Sequence, residues 1–228
     1  QGWNAPVVAF DGGAAALRAA AEAGGVDLCV HAPYRLNVAT TNNRIRIPSR
    51  KLLQEHVDGA AEIGATALIV HDGHVPQSDD PEVGFDNWRK CAERLDMKLP
   101  VLIENTAGGD NAMARRLDRI ARLWDAVGDS GLGFCLDTCH AFAGGIELAD
   151  VVPRLLAITG RIDLVHANDS RDAFDSGADR HANLGDGSIG AETIGDVAQA
   201  AGVPVVVETP GGAAGQGAGI AILRKRLG

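Results

Sequence analysis

The sequence predicts an α/β barrel built from repeated strand–helix units, and three observations predict it. Short apolar runs alternate with helical stretches along the whole chain, which is the pattern of a parallel sheet covered by helices. Each run ends in a residue that can bind a metal or move a proton: His31, His71, Glu104, Asp137, His166 and Glu208. Successive ends are 40, 33, 33, 29 and 42 residues apart, near the roughly 31 residues per unit of an eight-unit barrel of about 250 residues, whose active site lies at the strand C-termini. A doubly wound open sheet would instead gather its functional groups at one switch point. The expectation is therefore a TIM-type (β/α)8 barrel, a single domain over residues 1–228. Six full units and a leading helix are visible, so the expected barrel lacks its first strand, first helix and second strand in this chain.

The elements follow in order. Gln1 to Asp11 reads as a loop holding Trp3, and residues 12–24 are alanine-rich and helical in propensity. Val26 to Val30 is a strand ending at His31, followed by a polar loop from Ala32 to Ile47. Pro48 suits a first helical turn, giving a helix over 48–64 closed by Gly64. Ala65 to Val70 is a strand ending at His71; a loop with Pro76 and Pro81 leads to a helix over 82–97. Pro100 to Ile103 is a strand ending at Glu104. Asn111 reads as the cap of a helix to Val127, with Met113, Leu117, Ile120, Trp124 and Val127 on one stripe. Leu132 to Leu136 is a strand ending at Asp137, then comes a helix over 147–159 and a strand from Arg161 to Val165 ending at His166. A long polar loop, 167–188, precedes a helix to Ala201. Pro204 to Val207 is a strand ending at Glu208, and a last helix runs to Leu227.

The four cysteines, Cys29, Cys91, Cys135 and Cys139, have no disulfide or CxxC spacing, which points to a reducing cytoplasm. No apolar run of about 18 residues exists, so no membrane partner is expected, and the start shows no signal-peptide pattern. The net charge of −9 by itself disfavours nucleic acid, but the charge is uneven. From Leu28 to Gln54 there is no acid, while Arg35, Arg44, Arg46, Arg50 and Lys51 fall within. Charge and motifs give no sign of an oligomer, so the expectation is a monomer.

A carboxylate at the end of a buried strand, such as Asp137, needs a partner, and an imidazole three residues on with no Lys or Arg nearby suggests a metal ion. Local partners extend the set to nine: His31, His71, Glu104, Asp137, His140, His166, Asp179, His181 and Glu208. All are N or O donors, which suit zinc, manganese or iron, with the histidines leaning toward zinc. Nine are too many for one tetrahedral ion, so two or three ions sharing a bridging carboxylate are implied. Clustered metals suit phosphoryl-transfer hydrolysis.

Six stretches then carry a resemblance: His31-Ala-Pro-Tyr-Arg-Leu-Asn37, Ile103-Glu-Asn-Thr-Ala-Gly108, Cys135-Leu-Asp-Thr-Cys-His-Ala-Phe142, His166-Ala-Asn-Asp-Ser170, Asp179-Arg-His-Ala-Asn-Leu-Gly185 and Val207-Glu-Thr209. Together they cover nearly the whole chain, which resembles the endonuclease IV family of apurinic/apyrimidinic endonucleases, βα barrels with three zinc ions. The resemblance implies that Glu104 bridges two ions, one of them also held by His31 and His71. It implies a second ion held by Asp137, His166 and Glu208, and a third by His140, Asp179 and His181, with manganese or iron as replacements for some of the zinc. It implies hydrolysis of the phosphate 5′ to an abasic site in double-stranded DNA, leaving a 3′-hydroxyl, with Glu104 and Glu208 catalytic and Glu208 a proton acceptor. Tyr34 matches the side chain that fills the gap beside the flipped-out sugar, and Arg35, Arg44 and Arg46 suit phosphate contacts.

The sequence departs from that family in four places. The first strand and its neighbour are absent. Gln1 stands where many members place an arginine that enters the DNA stack, so Gln1 is carried as a DNA contact. His71-Asp-Gly-His74 is one residue shorter than the usual stretch, and Arg35 replaces an apolar residue. Gly185-Asp-Gly-Ser-Ile-Gly190 matches GxGxxG but follows a loop, not a strand, which argues against a dinucleotide site. His56 reads as a surface residue, Cys135 and Cys139 as packing groups, and Asn168 and Asp169 as supports of ligands. Two other activities fit the same residues: a metal-dependent sugar isomerase or epimerase, which would leave His140, Asp179 and His181 idle, and a protein that binds abasic DNA without cutting it.

Overall fold

The structure is a computed structural model that describes residues 10–109 and 111–228. Gln1 and Trp3 lie outside the described residues. The chain divides into two compact units, one of residues up to Ile103 with Ala126–Gly133, the other of Glu104–Asp125 with Phe134–Gly228.

The first unit opens with α1 (Gly13–Gly24), which ends where Gly25 takes a left-handed φ of 61°. β1 (Cys29–His31) is shorter than expected at its start, where Val26 is 60% exposed. α2 (Asn43–Glu62) begins earlier than expected and holds Pro48 inside it. The Asn42 side chain accepts from the Arg44 amide at 3.0 Å, satisfying one of the orphan donors of the first turn. Pro48 lies past that first turn, where it has no amide to offer the Arg44 carbonyl, so the capping Asn sets the start. α2 buries Ser49, Leu53, His56, Val57 and Ala60 on one stripe. His56 is therefore not a surface residue: it is 3% exposed, and its Nδ1 bonds the Leu52 carbonyl at 2.8 Å.

β2 (Ala67–His71) lies between β1 and β3 (Val101–Glu104). α3 (Glu82–Ala92) stops short of the expected residue 97. The amides of Arg94 and Leu95 bond the carbonyls three residues back, Cys91 and Ala92, a tightening that ends the helix. β1 and β2 run parallel with His31 opposite Ile69. Side chains alternate along a strand, so His31, Ile69 and His71 share one face.

The second unit begins with Glu104, the last residue of β3. α4 (Leu117–Val127) starts later than expected, and residues 111–116 form turns instead. Ala112, Met113 and Ala114 are all buried, and a helix could not bury three consecutive residues in one direction. β4 (Gly133–Asp137) is buried throughout and leads straight into a short helix, α5 (Thr138–Ala143). α6 (Val151–Thr159) follows a single turn at Leu148–Asp150. β5 (Leu164–His166) lies between β4 and β8, parallel to both, with Asp137 opposite His166.

The expected polar loop 167–188 carries β6 (Asp169–Ser170) and β7 (His181–Ala182), an antiparallel pair with Ser170 opposite His181. α7 (Ala191–Ala201), β8 (Val205–Val206) and α8 (Gly212–Leu227) complete the unit. Five of the six parallel strands end on the expected residue. The sixth stops at Val206, and Glu208 follows two residues on. Among the described residues no helix is long and apolar enough to cross a membrane.

Candidate metal centre

In the first unit the rings of His31 and His71 meet edge to face, 4.9 Å between centroids. His31 Nδ1 bonds the Ala32 carbonyl at 2.7 Å, which makes Nε2 the ring atom that could coordinate an ion. Tyr34 is 73% exposed, and its ring stands edge to face with His71 at 5.3 Å. The loop that carries Tyr34 is held by buried Asn37. Its Oδ1 accepts from the amides of Ala39 and Thr40, each at 3.1 Å, and its Nδ2 donates to the His74 carbonyl at 2.9 Å. Gly73 is required against it, because a Cβ there would lie 2.6 Å from Asn37 Oδ1. Arg35 and Arg44 are exposed. Arg46 instead braces its own loop, donating to the Thr40 carbonyl at 2.9 Å and to the Asn43 side chain.

The second unit brings seven of the nine expected ligands together. Glu104 and Asp137 have no exposure at all, and His140 and His166 are each 2% exposed. His166 Nδ1 faces three carboxylates: Glu104 at 2.8 Å, Glu208 at 3.1 Å and Asp137 at 3.9 Å. His140 Nε2 is 3.0 Å from Asp179 Oδ1 and 3.4 Å from His181 Nε2. His181 Nε2 is 3.3 Å from Asp179 and 3.8 Å from Asp137. Coordinating atoms of Asp137, His140 and His181 lie within 4.8 Å of one another, as do those of Glu104, Asp137, His166 and Glu208. Both groups could hold a metal ion.

The donor chemistry fits that reading. His140 Nδ1 bonds the Asn105 carbonyl at 2.9 Å, and His181 Nδ1 bonds the Glu208 carbonyl at 3.2 Å. With both Nδ1 atoms donating, the two Nε2 lone pairs point at each other and at Asp179. That arrangement repels unless a cation sits among them, and an imidazole tied through its other nitrogen to a carbonyl is how metal-binding histidines are oriented. In the metal-free chain, protons offset part of that charge. Burial alone would lower the pKa of His140, but Asp137, Asp179 and Glu104 outweigh it and hold the group well above its ordinary value. For His166, burial is outweighed by the Glu104 and Glu208 carboxylates at its Nδ1, which hold the group above its ordinary value. Asp179 is held well below the usual carboxylate range by its hydrogen bonds to His140 and His181. Cys135 lies under His166, where burial pushes its thiol up to about 12, leaving it neutral.

Three supporting residues complete the centre. Asp137 caps α5, accepting from the His140 amide at 2.8 Å, so the helix start sets both ligands. Asn105 accepts from the Asp137 amide at 2.8 Å and donates to its carbonyl at 3.1 Å. Asn168 donates to Asp137 Oδ2 at 2.6 Å and accepts from the Glu208 amide at 2.8 Å. Sequence reasoning placed Asn168 in support but assigned no role to Asn37 or Asn105. The usable signal was position, since Asn105 directly follows its strand end and Asn168 lies two residues past its own.

A family model described as a xylose isomerase-like TIM barrel matches residues 4–226. A protein described as probable endonuclease 4 of Mycobacterium tuberculosis is 56% identical over 228 residues, covering 100% of this chain and 87% of that protein. The crystal structure of endonuclease IV from Thermus thermophilus superposes with a TM-score of 0.82 at 29% identity, over 99% of this chain and 85% of that one. A D-tagatose 3-epimerase-like protein gives a TM-score of 0.79 at 22% identity, over 94% of this chain and 82% of that one, a likeness of fold alone. The chain belongs to the endonuclease IV family of xylose isomerase-like TIM barrels.

Proposed function

We propose that this chain is a DNA-repair endonuclease of the cytoplasm. It hydrolyses the phosphodiester 5′ to an abasic site in duplex DNA and leaves a 3′-hydroxyl and a 5′-deoxyribose phosphate. It works as a monomer whose residues 1–228 form one barrel domain, with three zinc ions. The observation that carries the reading is the convergence of Glu104, Asp137, His140, His166, Asp179, His181 and Glu208 in one unit, in a chain 56% identical to a probable endonuclease 4.

On this reading His140, Asp179 and His181 would hold one ion and Asp137, His166 and Glu208 a second. Glu104 would serve a third with His31 and His71. When bound, such ions supply Lewis-acid stabilisation of phosphate oxygens and a water that ionises at neutral pH. The protein's own part is to keep Glu104 and Asp137 buried and aimed, and to offer Glu208 as a proton acceptor. Glu208 suits that part because it is 34% exposed at its side chain, where substrate can approach, and 3.1 Å from His166. Tyr34, exposed beside His71, suits stacking on a disrupted base step, and Arg35 and Arg44 suit phosphates.

The test is incision of a duplex carrying one tetrahydrofuran abasic analogue, which cannot undergo β-elimination. Cleavage to a 3′-hydroxyl, abolished in Glu104→Ala, is the expected result. A folded, zinc-loaded chain that leaves the duplex intact would sink the proposal. Binding without incision would then favour a non-cutting damage-binding protein.

A further inference from the structure

The backbone of the glycine-rich stretch 185–190 cradles an anion, and the anion is the protein's own. Asp169 has no exposed surface, and its carboxylate accepts from five backbone amides. Ser170 and Ile189 bond Oδ1 at 2.8 and 2.9 Å. Gly185 and Gly187 bond Oδ2 at 3.0 and 3.2 Å, and Gly190 reaches both oxygens at 3.4 and 3.3 Å. Successive backbone N–H groups turned inward make an anion-binding concavity, here filled from within. A Cβ on Gly187 would lie 2.4 Å from both Asp169 Oδ1 and the Ser170 carbonyl, so only glycine allows so close an approach.

The clamp reaches the metal centre through β6 and β7. Asp169 stands opposite Ala182, and Ser170 opposite His181. The Ser188 amide also bonds the Ser170 carbonyl at 2.8 Å, tying the glycine loop to the strand beside His181. No other regular element carries His181: β7 is two residues long, too short to hold its place by its own ladder.

We propose that Asp169 is a positioning residue. By gathering the 185–190 loop around its carboxylate it fixes β7, and so holds His181 where its Nε2 faces His140 and Asp179. The inference rests on the reading of those three residues as one ion's ligands.

Two variants of the full chain test it, Asp169→Asn and Gly187→Ala, with His140→Ala as the reference for loss of that ion. Asn keeps one acceptor but turns an NH2 toward the amides of Gly185 and Gly187; Ala strikes the clamp from the loop side. The readouts are zinc bound per chain by equilibrium dialysis and amide hydrogen exchange at Gly185, Gly187, Ile189 and Gly190. Both variants are expected to weaken one ion about 10- to 100-fold, the usual effect of losing a residue that orients a ligand, to leave the other ions bound, and to speed exchange at those amides. Full zinc binding with fast loop exchange would overturn the inference, because the loop would then be free without consequence. Unchanged exchange would overturn it by showing that Asp169 is not the clamp, and global unfolding of both variants would make Asp169 a residue of the fold. If His140→Ala leaves the zinc count of the parent unchanged, it is the ligand reading that fails, whatever the Asp169 variants do.

Discussion

Asn168→Ala tests whether the strand-end carboxylates are held by the protein before any metal arrives. Asn168 is fully buried and makes two side-chain bonds across the centre, to Asp137 Oδ2 at 2.6 Å and from the Glu208 amide at 2.8 Å. The first has a charged acceptor and contributes about 1.5–3 kcal/mol; the second is neutral and contributes about 0.5–1.5 kcal/mol. Removing both should cost about 2–4 kcal/mol, which for a chain of this size lowers the melting temperature by roughly 5–15 °C. The assay is urea unfolding of chelator-treated protein followed by circular dichroism, so that no ion masks the loss. Asn168→Asp sharpens the test: it keeps the acceptor for Glu208 but sets a second carboxylate against Asp137. It should be less stable than the alanine variant without metal, since two adjacent buried carboxylates resist joint ionisation. A loss below about 0.5 kcal/mol in Asn168→Ala, smaller than one such bond contributes, would refute the view that Asp137 is oriented by this amide.

Three further outcomes are expected. Pro48→Ala should stabilise the chain by about 1–2 kcal/mol in urea melts, because Pro48 sits inside α2 and denies the Arg44 carbonyl its helical partner; the gain is partly offset by a more flexible unfolded chain. Native protein should show one fast-reacting thiol toward an aromatic disulfide reagent, Cys29, which is exposed. Cys91, raised to about 11, and Cys135 and Cys139, raised to about 12 by burial, should react only in denaturant. Arg35→Gln and Arg44→Gln should each weaken binding to abasic duplex and flatten its salt dependence by about one unit of slope, measured by fluorescence anisotropy across a salt series.

The strand ends were legible because a buried apolar run that stops at an ionisable residue leaves a strong mark. His31, His71, Glu104, Asp137 and His166 close their strands as expected. Helix starts were harder to read. Pro48 set the expected start of α2, while the true start at the Asn42 cap shows only in its hydrogen bond from the Arg44 amide. At 111–116 a helical stripe existed in the sequence, yet Ala112, Met113 and Ala114 are all drawn inward, a tertiary demand that local pattern does not carry. β6 and β7 are two residues each, too short for alternation to show. The amides that surround Asp169 lie up to 21 residues downstream, so its role could not be read from spacing. The amides of the GxGxxG stretch turn to Asp169, a partner visible only in three dimensions.

The acidic balance of the chain looks contrary to a DNA substrate, and the placement of the acids resolves the conflict. Several of the 30 acids sit in exposed pairs with their own bases: Asp86 with Arg89 and Lys90, Asp58 with Lys98, Asp150 with Arg154. Such pairs present little net field beyond about one Debye length. Four more, Glu104, Asp137, Asp179 and Glu208, are the carboxylates of the centre, where three divalent ions would bring the formal charge from −9 to about −3. The acid-free segment from Leu28 to Gln54 supplies exposed Tyr34, Arg35 and Arg44. On the proposed function, metal loading and DNA affinity should be coupled through charge: stripping the zinc should weaken duplex binding. The loss should be larger at low salt than at high salt, because unscreened carboxylates repel phosphate most when counterions are few. Equal binding by loaded and stripped protein at low salt would show that the acids of the centre are neutralised by protons rather than by ions.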